Sequence, residues 1–164
     1  MNKLAEELKN ILELSEKKLK TLDEQQSSVK PLPNKWSAKE ILGHLVDSSI
    51  NNSVRFVTGQ FKDNMIFSGY EHEKWVLAQD YQNAGWDFII SLWKMNNSQI
   101  CRLINNMPEE IIYKQHKEHS LDQIAWKEID KSVPASMEYL INDYIGHMKH
   151  HLNQIFRMHK LNEI

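Results

Sequence analysis

Apolar residues recur three and four positions apart along four separate segments of the chain, with charged residues between them. This spacing places the apolar side chains on one face of a helix, the face that a surface helix turns toward the core. The pattern predicts four long amphipathic helices, over residues 3–26, 37–59, 78–106 and 134–160. Four such helices in 164 residues predict an all-α four-helix bundle, formed by a single domain that spans residues 1–164.

Two of these helices have recognisable starting signals. Ser37 and Glu40 have the spacing of a capping box, in which both side chains accept hydrogen bonds from backbone N–H groups at the start of the helix. Pro134 suits the first turn of the last helix, because the N–H that proline lacks would have no helical partner there. These signals set the expected starts of the second and fourth helices.

The connections between the helices are long and less regular. Residues 60–77 mix glycine, aspartate, asparagine and aromatic residues and predict a connection without a long helix. Before the last helix, the apolar runs 111–113 and 124–129 predict a short hairpin. Asn97 interrupts the apolar stripe of the third helix, so we expect it to form a hydrogen bond across the bundle or to face a pocket.

The charge balance excludes some functions. The chain has 20 Lys and Arg against 22 Asp and Glu, and a general binder of nucleic acids or anionic membranes would carry an excess of cations. No apolar run approaches the roughly 18 residues of a membrane span, and no signal-peptide core follows the N-terminus. With Cys101 as the single cysteine, no internal disulfide can form. We therefore expect a cytoplasmic protein without a nucleic-acid or membrane partner.

Two histidines in the last helix are candidate metal ligands. His147 and His151 are four residues apart, so they share a helix face and can bind one ion. With eight histidines in the chain, about 0.4 such pairs would occur by chance, so the spacing needs support. On a helical wheel His151 lies about 40° and His147 about 80° from the centre of the apolar stripe, whereas His150 lies about 140° away on the solvent side. The alternative is a pair of structural histidines at a helix seam.

A narrow polar stripe runs along the second helix. His44, Ser48, Asn51 and Arg55 lie within about 60° of one another, over about 16 Å of helix length. Neither lysine nor glutamate occupies these positions, although solvated helix faces usually carry them. The stripe predicts the wall of a pocket, and the alternative is an ordinary solvated face.

Together these motifs resemble those of a known superfamily. The matching residues are Lys35-Trp36-Ser37, Gly43-His44-Leu45-Val46-Asp47-Ser48, Asn51, Arg55-Phe56, Tyr70, Trp75 and His147-Met148-Lys149-His150-His151. They resemble the DinB-like superfamily, and most closely its branch of YfiT-like metal-dependent hydrolases or bacillithiol transferases. The matches extend over most of the chain, but residues 107–133 match poorly. Asp143, one turn before His147, also departs from the closest branch.

The resemblance implies a fold and a metal centre. The fold is an antiparallel four-helix bundle with a long crossover connection between helices 2 and 3. The centre is one divalent ion, usually zinc or nickel, held by His44, His147 and His151. Three neutral imidazoles leave at least one open position on the ion, and open sites are catalytic more often than structural.

The resemblance also implies a reaction, the transfer of a low-molecular-weight thiol to a small electrophile. As catalytic residues, Ser48 and Asn51 would give neutral hydrogen bonds, and Arg55 would orient an anionic group. Asp47 is a candidate general base, although a supporting or surface role is more typical of its position. Two alternatives stay open. One is hydrolysis of a small amide or ester, which would need no thiol. The other is a non-catalytic module in which a closed metal site staples the helices and the chain forms a homodimer.

Five other residues have simpler interpretations. Cys101 is expected to be a small buried apolar residue. His116 and His119 could bind metal by their spacing, but loop surface is the better expectation. Tyr70 and Trp75 suit either a pocket wall or plugs over the core, and plugs are more common in a long connection.

Overall fold

Eight helices, four long and four short, make up the computed structural model, which describes residues 2–164. The long ones are α1 (Lys3–Leu19), α3 (Ala38–Thr58), α5 (Trp86–Asn106) and α8 (Met137–Met158). The short ones, in the connections, are α2 (Glu24–Ser28), α4 (His72–Gln79), α6 (Glu109–Tyr113) and α7 (Leu121–Ile124). No strand occurs in residues 2–164, so the all-α prediction is confirmed.

Contacts at the helix ends define two antiparallel pairs. Asn2 N donates to Asn105 Oδ1, so the start of α1 meets the end of α5. Trp86 Nε1 donates to Leu19 O, so the end of α1 meets the start of α5. In the second pair, His44 near the start of α3 meets His151 late in α8, with ring centres 4.8 Å apart. These contacts make α1 antiparallel to α5, and α3 antiparallel to α8.

The two pairs are joined by the parallel neighbours α3 and α5. The Glu24 carboxylate accepts from the backbone N–H of Trp86 and pairs with Lys39, which brings the starts of α5 and α3 together. Parallel neighbours require a connection that returns along the length of the bundle. Residues 59–85 make that return, which confirms the predicted crossover between the second and third long helices.

The observed helices are shorter than predicted at two ends. The first ends at Leu19, and the chain turns before a capping box between Asp23 and Gln26 starts α2. The third begins at Trp86 rather than at residue 78, because Asp80 adopts a left-handed conformation with φ of 51° and ends α4. A 3₁₀ turn, Tyr81–Asn83, separates the two helices.

The predicted hairpin before the last helix is wrong. Ile111 and Ile112 lie in α6, which follows Pro108 and has Glu109 and Glu110 in its first turn, where acidic side chains favour a helix. Ile124 ends α7 instead of starting a strand. The chain does return on itself at one point, where His116 and Ala135 exchange two backbone hydrogen bonds of 2.8 and 3.0 Å.

The core lies between the four long helices. Trp93 of α5, Phe56 of α3 and Phe156 of α8 are among its largest fully buried side chains. Asn97 accepts a hydrogen bond from the Tyr144 hydroxyl within this core, which confirms the bond across the bundle that its position predicts. Across residues 2–164, none of the helices combines the length and the apolar character that a membrane span requires.

Candidate metal centre

Three imidazole rings meet at the seam between α3 and α8. His44 Nε2 lies 3.2 Å from His147 Nε2, and one ring nitrogen from each of His44, His147 and His151 lies within 4.8 Å of the other two. The ring centres are 4.6 to 5.1 Å apart. In residues 2–164 this trio is the cluster of His, Cys, Asp and Glu side chains arranged closely enough to hold an ion.

The start of α3 fixes the position of His44. Ser37 and Glu40 form the predicted capping box at this end of the helix. Trp36, just before the cap, packs its ring 5.3 Å from the His44 ring. On the other side, a Cβ added at Gly43 would lie 2.2 Å from ring atoms of Tyr81, so only glycine lets the crossover segment approach the helix this closely.

The environment keeps the three rings neutral. Burial, reinforced by the neighbouring histidines, lowers the pKa of His44 to about 3 and that of His147 to about 2. Burial also lowers the pKa of His151, although the hydrogen bond of its Nδ1 with Gln154 Oε1, 3.0 Å long, acts in the other direction. Neutral imidazole is the form that binds metals, because it keeps one lone pair free.

The donor set fits a divalent ion. Two imidazole nitrogens on one tetrahedral ion, each at about 2.0–2.1 Å, are about 3.3 Å apart, close to the His44–His147 separation. Gln154 holds Nδ1 of His151, which leaves Nε2 of that ring for the ion, as outer partners of metal ligands commonly do. Imidazole nitrogens suit several transition metals, among them zinc, nickel, copper and iron. His44 Nδ1 is buried without a partner, so this ligand lacks such support.

A cavity of about 410 Å³ opens beside the three histidines. Ser48, Asn52 and Arg55 of α3 line it on one side, and Asp143 and Tyr144 of α8 on the other. Residues from the connections complete the wall: Gly69, Tyr70, His72, Gln123, Ile124, Ala125 and Trp126. The cavity is thus continuous from the imidazole cluster to the far half of α3.

The structure brings together three of the four residues of the predicted polar stripe. His44, Ser48 and Arg55 line the cavity, but Asn51 lines an adjoining open groove of about 730 Å³ and donates to Asp47 O. Asn52 takes the expected place of Asn51, because the cavity lies on the side of α3 toward Asn52. Gly69 and Tyr70 line both spaces.

Arg55 is buried at the far end of the cavity, with 7% of its surface exposed. Its Nη1 donates to Asn52 Oδ1 at 3.3 Å, and its Nη2 donates to the backbone oxygen of Ser68 at 2.9 Å. Burial lowers the pKa of Arg55, which nonetheless stays protonated as guanidinium groups do in proteins. The cavity therefore has one fixed positive charge.

Asp143 ties a loop to the wall of the cavity. Its two carboxylate oxygens accept hydrogen bonds from the backbone N–H groups of Trp126 and Lys127, at 2.9 and 2.7 Å. The Trp126 ring lies against α8 at Gly146, where an added Cβ would be 3.3 Å from the ring. The centre of the Trp126 ring is 6.2 Å from that of the His147 ring. Burial raises the pKa of Asp143, and the two N–H groups oppose that change.

Sequence reasoning missed several residues of this cavity, among them Trp126, Asn52 and His72. Trp126 lies in a connection without periodicity, and Asn52 falls outside the narrow stripe. His72 begins α4, and its ring centre is 5.6 Å from that of His44. Its closeness in sequence to Tyr70 was the one signal that could have indicated its place in the cavity. Asp47 is completely buried, and its Oδ1 accepts from the Tyr81 hydroxyl at 2.8 Å, which agrees with a supporting role.

The remaining candidates lie away from the cluster. His116 and His119 are buried, not on the loop surface as expected, because His116 Nδ1 lies 3.0 Å from Asp63 O and His119 Nε2 lies 2.8 Å from Val133 O. Cys101 is half-buried, and burial raises the pKa of its thiol to about 11. Trp75 packs against Tyr70 and lines the open groove.

The chain is similar to two curated proteins. The chain is 22% identical over 155 residues to a protein of Oceanobacillus iheyensis, a match that covers 94% of this chain and 83% of the relative. It is 25% identical over 80 residues to a protein of Bacillus mycoides, covering 49% of this chain and 46% of the relative. Both relatives carry the name "Putative metal-dependent hydrolase". No family model matches the chain.

The fold has a solved counterpart. YfiT from Bacillus subtilis, described as a probable metal-dependent hydrolase with an unusual four-helix bundle topology, superposes with a TM-score of 0.74. The match covers 98% of this chain and 87% of YfiT, at 15% sequence identity. The match shows that this chain has the fold of YfiT, in agreement with the fold that the sequence resemblance implies.

Proposed function

We propose that this chain is a metal-dependent enzyme that transfers a low-molecular-weight thiol to a small electrophile. The observation that carries the proposal is the cluster of three neutral imidazoles on the wall of an open cavity. His44, His147 and His151 would hold one divalent ion, zinc or nickel. When bound, such an ion supplies positive charge that lowers the pKa of a thiol or a water molecule.

The chain's own residues would position the two reactants. The Ser48 hydroxyl and the Asn52 amide offer neutral hydrogen bonds along the cavity, and Arg55 offers a charged one. Asn51, in the adjoining groove, would contact a part of the substrate that extends past Tyr70. Trp126 and Ile124 also line the cavity and would place apolar surface beside a bound electrophile.

The hydrogen bonds of the Asp143 carboxylate also favour thiol transfer. Asp143 is the carboxylate among the described residues that line it, and both of its oxygens are held by backbone N–H groups. Amide hydrolysis requires a group that gives a proton to the leaving amine. In thiol transfer by substitution, the sulfur–carbon bond forms while the leaving group departs with its electron pair. The thiol proton passes to water, so no such acid is required.

Hydrolysis is the second candidate, because the two curated relatives are named as hydrolases. His72, exposed at the mouth of the cavity, could serve as the proton donor that hydrolysis needs. A non-catalytic metal staple would need a fourth protein ligand. The clustered ligand atoms found in residues 2–164 come from three residues.

The test compares metal-loaded with metal-stripped protein in two assays. One measures conjugation of several small thiols to 1-chloro-2,4-dinitrobenzene, in which the sulfur displaces chloride, and the other measures hydrolysis of p-nitrophenyl acetate without thiol. We expect metal-dependent conjugation that His151→Ala abolishes and that His150→Ala, the exposed neighbour, retains. Equal conjugation rates with and without metal contradict thiol transfer, and metal-dependent ester hydrolysis alone supports the second candidate. Light scattering of the same samples tests the predicted homodimer.

A further inference from the structure

The guanidinium of Arg55 forms no salt bridge with any carboxylate in residues 2–164. Of its five N–H groups, two donate to neutral acceptors, Asn52 Oδ1 and Ser68 O. No Asp or Glu oxygen in residues 2–164 lies within 4.0 Å of its nitrogens. A buried cation without a counter-ion is costly, and proteins keep one mainly where a ligand supplies the missing charge.

The nearest acidic group does not fill this role. Asp143 faces the same cavity and attracts Arg55 at a distance, but it forms no hydrogen bond or salt bridge with the guanidinium, and its two oxygens accept from the backbone N–H groups of Trp126 and Lys127. Tyr70 is close to Arg55 as well, and burial raises the pKa of its phenol to about 12, so it stays neutral. Three N–H groups of Arg55 therefore remain for a molecule that enters the cavity.

We propose that Arg55 is the seat for a carboxylate group of the substrate or of its thiol partner. The inference deepens the proposed function by naming the chemical class of the molecule that the cavity accepts. A guanidinium presents paired N–H groups in one plane, which matches the two oxygens of a carboxylate. Asn52 and Ser68 hold this plane in place before the ligand arrives.

The charges of the cavity favour a carboxylate over a phosphate. Arg55 is the one Arg or Lys among the described residues that line it, so it balances a single negative charge. A phosphate ester brings up to two negative charges, and Asp143 in the same cavity would repel the second. The Ser48 hydroxyl adds a neutral donor along the same wall.

The seat also sets the shape of the ligand. Arg55 follows His44 by eleven residues on α3, which is about 16 Å between their Cα atoms by helix rise. The Arg55 side chain shortens this gap, because helical side chains lean toward the N-terminus of their helix. A ligand that reaches both the imidazoles and the guanidinium therefore carries its carboxylate several bonds from its reactive group.

Binding to metal-stripped protein tests the seat separately from catalysis. The probes are butanoate and hexanoate, their matched amides butanamide and hexanamide, and inorganic phosphate. Binding is followed by titration calorimetry and by the Nε–H resonance of Arg55 in protein labelled with ¹⁵N-arginine. The variants are Arg55→Lys and Arg55→Gln, with Arg102→Lys on the exposed face of α5 as the matched control. Circular dichroism establishes that each variant is folded.

We expect each carboxylate to bind roughly 10- to 100-fold more tightly than its amide and to shift the Arg55 resonance. Arg55→Lys, which keeps the charge but loses the paired N–H groups, should lose about tenfold, and Arg55→Gln more. Arg102→Lys should bind as the unmodified protein does. Equal affinity for carboxylate and amide, an unchanged affinity in Arg55→Lys, or tighter binding of phosphate would each overturn the proposal. Because no metal is present, a failed conjugation assay leaves this result standing.

Discussion

His44 Nε2 and His147 Nε2 face each other at 3.2 Å across the seam between α3 and α8. A neutral imidazole has one N–H and one lone pair, so in the absence of an ion one ring must donate to the other. An ion between them would accept both lone pairs and would move each proton to Nδ1. The Nδ1 proton of His44 would have no hydrogen-bond acceptor, whereas Gln154 Oε1 would accept the Nδ1 proton of His151.

Gln154 should therefore contribute to metal affinity although it is not a ligand. Gln154→Ala removes the acceptor that orients His151, and we expect the metal dissociation constant to rise about tenfold. Competition with a chromophoric chelator measures it. Asn142→Ala is the control, because Asn142 lies on the same helix and bonds to the backbone oxygen of Glu138. An unchanged affinity in Gln154→Ala would show that His151 is oriented by packing alone.

Substitution of Gly43 should destabilise the bundle next to the candidate centre. In Gly43→Ala the new Cβ would lie 2.2 Å from the Tyr81 ring, so the crossover segment must move away from α3. We expect a loss of about 1–3 kcal/mol in the free energy of unfolding, measured with urea. Gly69→Ala is the control, since its Cβ would be 3.8 Å from the nearest side-chain atom. Equal stability of the two variants would contradict the tight contact.

Asp143 should control the loop that carries Trp126. Asp143→Asn leaves one oxygen for two backbone N–H groups, so we expect a loss of about 1–3 kcal/mol. Hydrogen exchange at the amides of Trp126 and Lys127 should accelerate. Asp130→Asn, in the same segment but bonded to Ser132, should leave both amides protected. Unchanged exchange in Asp143→Asn would show that the ring contact with Gly146 is sufficient.

The buried carboxyl of Asp47 predicts a pH dependence of stability. Burial raises its pKa to about 6 from an ordinary value of 3.8. The folded state thus holds a proton that the unfolded state has lost between about pH 4 and 6, so stability falls as pH rises through this window. In Asp47→Asn that decrease should be absent, which gives a gain on the order of 2 kcal/mol at pH 7.5 and little at pH 3.5. Urea titrations of both proteins across this range provide the measurement, and parallel curves would contradict it.

The spacing of apolar residues predicted most of the fold but not its connections. Helix spacing identified the four long helices, because each buries a continuous apolar face. It placed the start of the third helix too early, since the apolar residues of α4 continue into it and the left-handed turn at Asp80 has no strong sequence signal. The hairpin failed because the preference of Ile111 and Ile112 for strands was outweighed by Pro108 and the acidic residues after it.

The candidate site was predictable only in part. Helix spacing paired His147 with His151 and marked the polar stripe from His44 to Arg55, and the resemblance joined the two sets. Trp126 and His72 reach the cavity from connections without periodicity, so only the folded chain could reveal them. The helical wheel predicted Asn51 for the cavity, but its neighbour Asn52 lines the cavity and Asn51 lines the adjoining groove.

The candidate centre joins two distant parts of the chain. His44 and His147 are 103 positions apart, and the crossover segment and α5 lie between them in the sequence. An ion that joins them would close a loop of about that length, and by the usual chain-entropy argument such a clasp restricts the unfolded ensemble as a long-range disulfide does. Metal uptake would then report that the whole chain has folded, and a chain truncated before α8 would lack two of the three ligands.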